Sequence, residues 1–191
     1  MKYSGGIFSG KKLLLCVNKF LVVGHCCTGQ GHIVDDSRII AIKDWTVCSN
    51  KSNVHSFLGI VGVVRIFIRN FAHRVHNLVK LTRKDIPWEW GEEQERVMED
   101  LREMVIKLPA LKPLDYKLES LVILAVDTSY ITVGYFLCQC TEEDERQQNY
   151  SCFGSITLNE WEARFSQPKL EIYGLYSDVI VDHTIIIGLE N

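Results

Sequence analysis

Two carboxylates in the second half of the chain have residue types and settings that metal-dependent phosphate chemistry uses. Asp127 follows an apolar run that predicts a buried strand, and Glu171 lies on a later predicted helix. Hydrolysis of a phosphodiester by the two-metal route requires several carboxylates that converge on two Mg²⁺ ions. An Asp at a strand end is more often a turn former, and a helical Glu is usually solvated. The spacing alone is therefore a weak indication of a metal site.

A block of basic residues in the middle of the chain is a second candidate site. Between Lys51 and Lys84 the sequence contains seven Lys and Arg residues, three His residues and no Asp or Glu. The seven cations are Lys51, Arg65, Arg69, Arg74, Lys80, Arg83 and Lys84. An uncompensated positive block of this kind suits the phosphate backbone of a nucleic acid. The alternative is a solvated surface that balances the acidic segment 85–119, which has ten acidic and five basic residues.

Cysteine and histidine side chains are concentrated in residues 24–32, which include His25, Cys26, Cys27 and His32. Zinc sites usually contain two well-spaced ligand pairs, and adjacent residues of a strand point to opposite faces. We therefore interpret this segment as a strand pair and not as a zinc site. The chain has seven Cys residues without a regular spacing, which indicates reduced thiols in an intracellular protein.

The elements that would position these residues follow from the apolar periodicity. Short apolar runs at 13–17 and 20–23, separated by glycines, predict short strands. Residues 36–84 are predicted to be helical, with Asn50 or Ser52 as a helix cap. One helix face has apolar residues four, three and four positions apart. They are Phe57, Val61, Val64 and Ile68.

The second half combines one more long helix with strands. A helix over 92–108 is predicted, with the inward positions Val97, Leu101, Met104, Val105 and Leu108. The continuous apolar run 121–126 predicts a strand that is buried on both faces. Further strands are predicted at 131–140 and 150–157, and a helix begins near Pro168. The fold class is therefore α+β.

The bulk composition is that of an ordinary globular protein, with 47% apolar and 24% charged residues and a net charge of −3. No run approaches the roughly 20 apolar residues that a membrane span needs. The run 13–17 is also too short for the core of a signal peptide. We therefore expect an intracellular protein, cytoplasmic or nuclear, with no membrane partner.

The order of five local sequences resembles the Pol polyprotein of gypsy-class long-terminal-repeat retrotransposons, with fungal copies looking closest. These segments are VVGHCCT (22–28), VHSFLGIVGVVRIFIRNFA (54–72), LVKLTRKDIPWEW (78–90), SLVILAVDTSYITVGYFLCQ (120–139) and FGSITLNEWEARFSQPKLEIYGL (153–175). Each segment is only moderately specific, but five in the right order are strong evidence.

The resemblance implies a division of the chain into four parts. Residues 1–50 would be a remnant palm hairpin of a reverse transcriptase with a linker helix, and 51–84 the helices of the thumb and connection. Residues 85–176 would be the first part of an RNase H-like domain, an incomplete mixed sheet with a packed helix, and 177–191 a divergent tail. The basic block would then contact a template–primer duplex or an RNA–DNA hybrid.

The resemblance also implies that Asp127 and Glu171 are the first two acidic positions of an RNase H site that binds Mg²⁺. If so, both have to reach one position on the same side of the sheet. Asp182 is a weak third candidate, because it follows Glu171 too soon to match the family pattern. The Tyr-x-Asp-Asp sequence of the polymerase is not found upstream of Gly24, and Asp35 and Asp36 lie downstream, where a helix cap is expected.

The leading expectation is a catalytically incomplete piece of an enzyme that couples RNA-directed DNA synthesis to RNase H cleavage. In the parent protein its partners would be the nucleic acid and the rest of the Pol polyprotein. One alternative is a non-catalytic module that binds nucleic acid or protein. The other is an active Mg²⁺-dependent nuclease that uses Asp127, Glu171 and Asp182.

Overall fold

Two groups of short strands, each followed by helices, make up the computed structural model, which describes residue 10 and residues 14–22, 24–141 and 146–181. The first part consists of strands β1 (Lys19–Val22), β2 (His25–Thr28) and β3 (Gly31–Val34), followed by helices α1 (Asp36–Lys43), α2 (Lys51–Val63), α3 (Phe71–Leu81) and α4 (Glu92–Ile106). The second part consists of strands β4 (Val122–Thr128), β5 (Thr132–Cys140) and β6 (Gln148–Thr157), followed by helix α5 (Gln167–Val181).

The predicted α+β class is confirmed, and the described strands form two three-stranded sheets in the orders β1-β2-β3 and β4-β5-β6. All strand pairs in both sheets are antiparallel. The predicted RNase H-like sheet was mixed, but within the described ranges it contains no parallel pair. A mixed sheet needs a crossover connection that returns a strand in the same direction, and the strands β4 to β6 follow one another as a simple meander.

The helix over the middle of the basic block is shorter than the apolar spacing predicts. Helix α2 ends at Val63, and a single turn of 3-10 helix, Arg65–Phe67, follows it. Val64 and Ile68 are nevertheless completely buried, as the periodicity predicted. Gly59 and Gly62 lie in the last turns of α2, and glycine is a poor helix former. Burial was therefore predicted correctly, while the helical conformation up to residue 68 was wrong.

Asparagines precede both α2 and α3 and determine how each helix begins. Asn50 caps α2, since its Oδ1 atom accepts a hydrogen bond of 2.9 Å from the backbone N–H of Asn53. This confirms one of the two predicted caps. Asn70 precedes α3 in the left-handed conformation, with a φ of 55°. Asn tolerates that conformation better than most residues do, which allows the chain to turn sharply into α3.

One apolar core joins the helices to the second sheet. Its largest buried side chains include Phe57, Phe67, Leu78 and Leu101, from four successive segments of the chain, and Phe153 of β6 belongs to the same cluster. Helix α4 contacts α1 and α3. Its predicted inward face is confirmed at Leu101 and Val105, and Met98, which was not predicted, is also buried.

The second sheet is covered on both sides by helices. Ser155 of β6 accepts a hydrogen bond of 2.8 Å from the backbone N–H of Ala72 on α3. On the other side, Leu170 of α5 packs with Val126 and Val133 in a small second core. Strand β5, in the centre, is the most buried strand. Strand β4 was predicted to be buried on both faces, but it lies at an edge of the described sheet and is only half-buried.

None of the described helices has both the length and the apolar character that crossing a bilayer requires.

Gly31 lies where the first sheet meets the segment before β4, and its replacement tests that junction. It has a φ of 136°, and an added Cβ would collide with the Leu111 carbonyl oxygen. At this point the backbones of His32 and Leu111 exchange hydrogen bonds of 2.7 and 2.9 Å. We expect Gly31→Ala to lower the free energy of unfolding by about 1–3 kcal/mol in urea denaturation, because it combines steric conflict with backbone strain. The matched control is Gly29→Ala, which has open space around it and should change little.

The stability of the fold should decrease at acidic pH because of His25. Burial lowers the pKa of its imidazole, and the nearby charges of His32 and Arg38 lower it further. The folded protein therefore holds His25 neutral at a pH where the unfolded chain already binds a proton. Its contribution is present above the usual His pKa of about 6.5 and is lost as the pH falls below that value. We expect the melting temperature to fall less between pH 7.5 and 5.5 in His25→Gln than in the unchanged protein. Equal slopes would contradict this assignment.

Candidate nucleic-acid interface and carboxylate pair

Four side chains follow one side of helix α3 and its C-terminal turn. His73, His76, Lys80 and Arg83 are three or four positions apart, which is the spacing of neighbours on a helix surface. Burial lowers the pKa of the His76 imidazole, and the charges of Arg83, Lys80 and His73 lower it further. These groups therefore act on one another electrostatically. We call the four residues the α3 stripe.

Three of the seven cations predicted to contact nucleic acid have partners within the protein. The Nζ atom of Lys51 donates hydrogen bonds of 2.5 Å to the carbonyl oxygens of Arg83 and Ile86. Arg74 forms an ion pair of 2.8 Å with Asp100 of α4. The Arg69 guanidinium lies 5.1 Å from the centre of the Phe136 ring. Lys51 is thus a brace at the end of α3, and Arg69 and Arg74 are partly engaged with the protein.

The other four predicted cations remain available to solvent. Arg65, Lys80, Arg83 and Lys84 are exposed, and the structure shows no salt bridge for any of them within the part of the chain that it describes. Two of them, Lys80 and Arg83, belong to the α3 stripe. The stripe also contains His73 and His76, which the sequence prediction did not select. The signal that could have identified them is their spacing, which is three residues between His73 and His76 and four between His76 and Lys80.

The side chain of Asp127 projects from β4 on the side of the sheet that faces α3. It is paired with Gly134 across the β4–β5 ladder, and paired residues of antiparallel strands share a face. The Asn70 side chain lies directly over Gly134. Asp127 accordingly lines a polar pocket of about 160 Å³ together with Asn70, His73 and Ser129. Its carboxylate is exposed.

Glu171 approaches β4 from the opposite side, on helix α5. The Gln167 Nε2 atom donates a hydrogen bond of 2.6 Å to Glu171 Oε1, and the Thr128 hydroxyl donates one of 3.4 Å to Glu171 Oε2. Gly174 allows this close packing, because an added Cβ would lie only 2.8 Å from the Thr128 hydroxyl oxygen. Thr128 and Asp127 are consecutive on the strand, so their side chains point to opposite faces.

Asp127 lies on β4, and Glu171 contacts the next residue of that strand, Thr128. The two predicted metal ligands are therefore on opposite sides of the sheet. Within the ranges 14–22, 24–141 and 146–181, no group of three or more His, Cys, Asp or Glu side chains is arranged to hold a metal ion. Asp182 lies outside the described residues. Asp35 occupies the N-cap of α1, as predicted for a capping residue, although its carboxylate accepts a hydrogen bond from Ser37 and not from the backbone.

The Cys and His residues of segment 24–32 form a strand pair, as predicted. Cys27 and His32 are directly opposite each other on β2 and β3, with 3.2 Å between Sγ and Nδ1. Cys26, which precedes Cys27, is buried on the other face of the strand. No third ligand joins the Cys27–His32 pair among the described residues.

Comparisons with known proteins agree with this fold. The model of the RNase H-like domain found in reverse transcriptase matches residues 90–188. The Tf2-3 and Tf2-4 transposon polyproteins of Schizosaccharomyces pombe (strain 972 / ATCC 24843) are 26% identical over 123 residues, which is 64% of this chain. The chain spans only 9% of the length of these curated relatives.

Solved structures with the same fold come from a foamy viral protease-reverse transcriptase. Its complex with an RNA/DNA hybrid superposes with a TM-score of 0.74 over 94% of this chain and 23% of that chain, at 19% identity. Its complex with dsDNA gives a TM-score of 0.71 over 94% of this chain and 36% of that chain, also at 19% identity. This chain belongs to the family of RNase H-like domains found in reverse transcriptases, and it corresponds to a segment of a retrotransposon Pol polyprotein.

Proposed function

We propose that this chain holds a template–primer duplex or an RNA–DNA hybrid within a retrotransposon polymerase, and that it does not cleave the hybrid by itself. The α3 stripe is the observation that carries the proposal. Its two cations, Lys80 and Arg83, are exposed and have no salt bridge among the described residues, which suits a polyanionic partner. The fold of the foamy viral enzyme, whose solved complexes contain an RNA/DNA hybrid and dsDNA, supports the same class of ligand.

The exposed cations would act together along the phosphate backbone. Arg65, Lys80, Arg83 and Lys84 have no acidic partner to displace among the described residues, so binding releases counterions and breaks no salt bridge. Contacts of this kind carry no sequence information. Arg69 and Arg74 would contribute less, since each already has a partner within the protein. From the resemblance of the sequence we also propose residues 1–50 as the palm remnant with its linker helix, 51–84 as thumb and connection, 85–176 as the RNase H-like domain and 177–191 as a divergent tail.

A Mg²⁺ site of the RNase H type does not fit the described residues. Two-metal catalysis requires carboxylates fixed around common ions, whereas Asp127 faces α3 and Glu171 is hydrogen-bonded on the α5 side. The Glu171 carboxylate already accepts hydrogen bonds from Gln167 and Thr128, which gives it a role in holding α5 to β4. We therefore favour hybrid binding over the alternative of an active nuclease.

If phosphate contacts hold the hybrid, its affinity should depend on salt, and this dependence should become weaker when cations of the α3 stripe are removed. Binding of a labelled RNA–DNA hybrid, measured by fluorescence anisotropy, should weaken steeply as salt increases. The double variant Lys80→Ala with Arg83→Ala should reduce the slope of log Kd against log salt by about 2, because each lost phosphate contact removes roughly 1. Lys43→Ala, an exposed cation on α1, is the control and should leave the slope unchanged. A slope that is insensitive to the double variant would reject the α3 stripe as the interface.

The carboxylate geometry predicts binding without cleavage. Purified protein incubated with an RNA–DNA hybrid and Mg²⁺ should leave the RNA strand intact on a denaturing gel. Asp127→Asn should bind the hybrid at least as tightly as the unchanged protein, since it removes a negative charge beside His73, and Mg²⁺ should not raise the melting temperature of either form. Cleavage that disappears in Asp127→Asn would instead establish the nuclease alternative.

A further inference from the structure

An open pocket of about 450 Å³ lies between α3, α4 and strand β6, beside the basic block. Three aromatic side chains contribute to its lining, Phe67, Tyr150 and Phe153. Tyr150 is half-buried, and its ring centre lies 5.1 Å from that of Phe153 and 5.5 Å from that of Phe136. Tyr150 is therefore held in place by ring contacts. The volume is in the range of small-ligand pockets.

Charged groups surround these rings. Arg69, Arg74 and Lys107 line the pocket together with Asp100 and Glu103. Lys107 and Glu103 are 3.8 Å apart, with side chains that are 76% and 65% exposed. Ion pairs with such exposure are weak, so Lys107 is free to exchange Glu103 for another anion. Phe67 and Phe153 are buried, so Tyr150 supplies the accessible ring, with a replaceable cation and two carboxylates beside it, of which Asp100 already accepts a hydrogen bond from Arg74.

This combination matches a nucleotide whose base is not paired. Aromatic side chains stack against bases of any type, and adjacent cations hold the backbone phosphate. Asp100 and Glu103 could accept hydrogen bonds from exocyclic amino groups, which every base except thymine and uracil has. A base inside a duplex is already stacked and paired and cannot enter. We propose that this pocket holds one unstacked base of a single-stranded overhang next to the bound duplex, with its phosphate on Lys107.

This inference rests on the proposed function but is separable from it. We would compare a blunt RNA–DNA hybrid with the same hybrid extended by a short single-stranded DNA overhang. The overhang should tighten binding at least about fivefold, which is the low end of the effect of stacking one base on an aromatic side chain. A 2-aminopurine in the overhang should lose fluorescence on binding, since stacking quenches it.

Two variants test the pocket itself. Lys107→Ala and Tyr150→Leu should each remove most of the gain that the overhang provides, and both should bind the blunt hybrid as before. Lys43→Ala, which lies away from the pocket on α1, is the matched control. If Tyr150→Leu unfolds the sheet, as seen by circular dichroism, the exposed Lys107 variant still decides the question. The 2-aminopurine signal of the unchanged protein provides an independent readout.

The possible results separate the two proposals. Equal affinity for blunt and extended hybrids, or unquenched 2-aminopurine, would overturn the pocket while leaving the duplex interface intact. Failure to bind either hybrid would instead overturn the proposed function. An overhang gain that persists in both Lys107→Ala and Tyr150→Leu would place the single strand elsewhere on the protein.

Discussion

The arrangement of this chain depends on one shared apolar core. Phe57 and Phe67 from the helical region and Phe153 from β6 belong to the same buried cluster, so the helices and the second sheet cannot move independently without exposing it. In a closely packed core, the position of one element determines the position of the elements packed against it. The core therefore fixes α3 against the sheet face that carries Asp127 and Gly134. Both candidate sites inherit their geometry from this contact.

Positive and negative side chains lie on different helices around that core. Helix α3 and the residues around it contain the cations, and α4 contains most of the nearby acids. The ion pair between Arg74 and Asp100 joins the two helices at their contact, where it neutralises one member of each set. Away from this contact, Lys80 and Arg83 keep their charge available. Separation of this kind explains how a chain with a net charge of −3 can have a basic surface, as the proposed binding of a phosphate backbone requires.

The fold of this family and a two-metal centre depend on different features of a protein. A fold is maintained by packing over many residues, whereas a two-metal centre depends on a few carboxylates within ångströms of one point. The strands β4 to β6 and helix α5 keep the packing, including the close approach at Gly174. Glu171 meanwhile accepts hydrogen bonds from Gln167 and Thr128, which ties it to the fold. The same backbone fold is therefore compatible with the nucleic-acid binding proposed above.

The sequence by itself determined the features that depend on neighbours along the chain. The cap at Asn50, the burial of Val64 and the strands β5 and β6 follow from local side-chain chemistry and period. Only the tertiary structure decided which cations are free, because the partners of Lys51 and Arg74 come from distant segments. It also decided that β4 lies at an edge of the described sheet and that Asp127 faces α3. Periodicity records which residues are buried, but the partner and the side of the sheet depend on how remote elements pack.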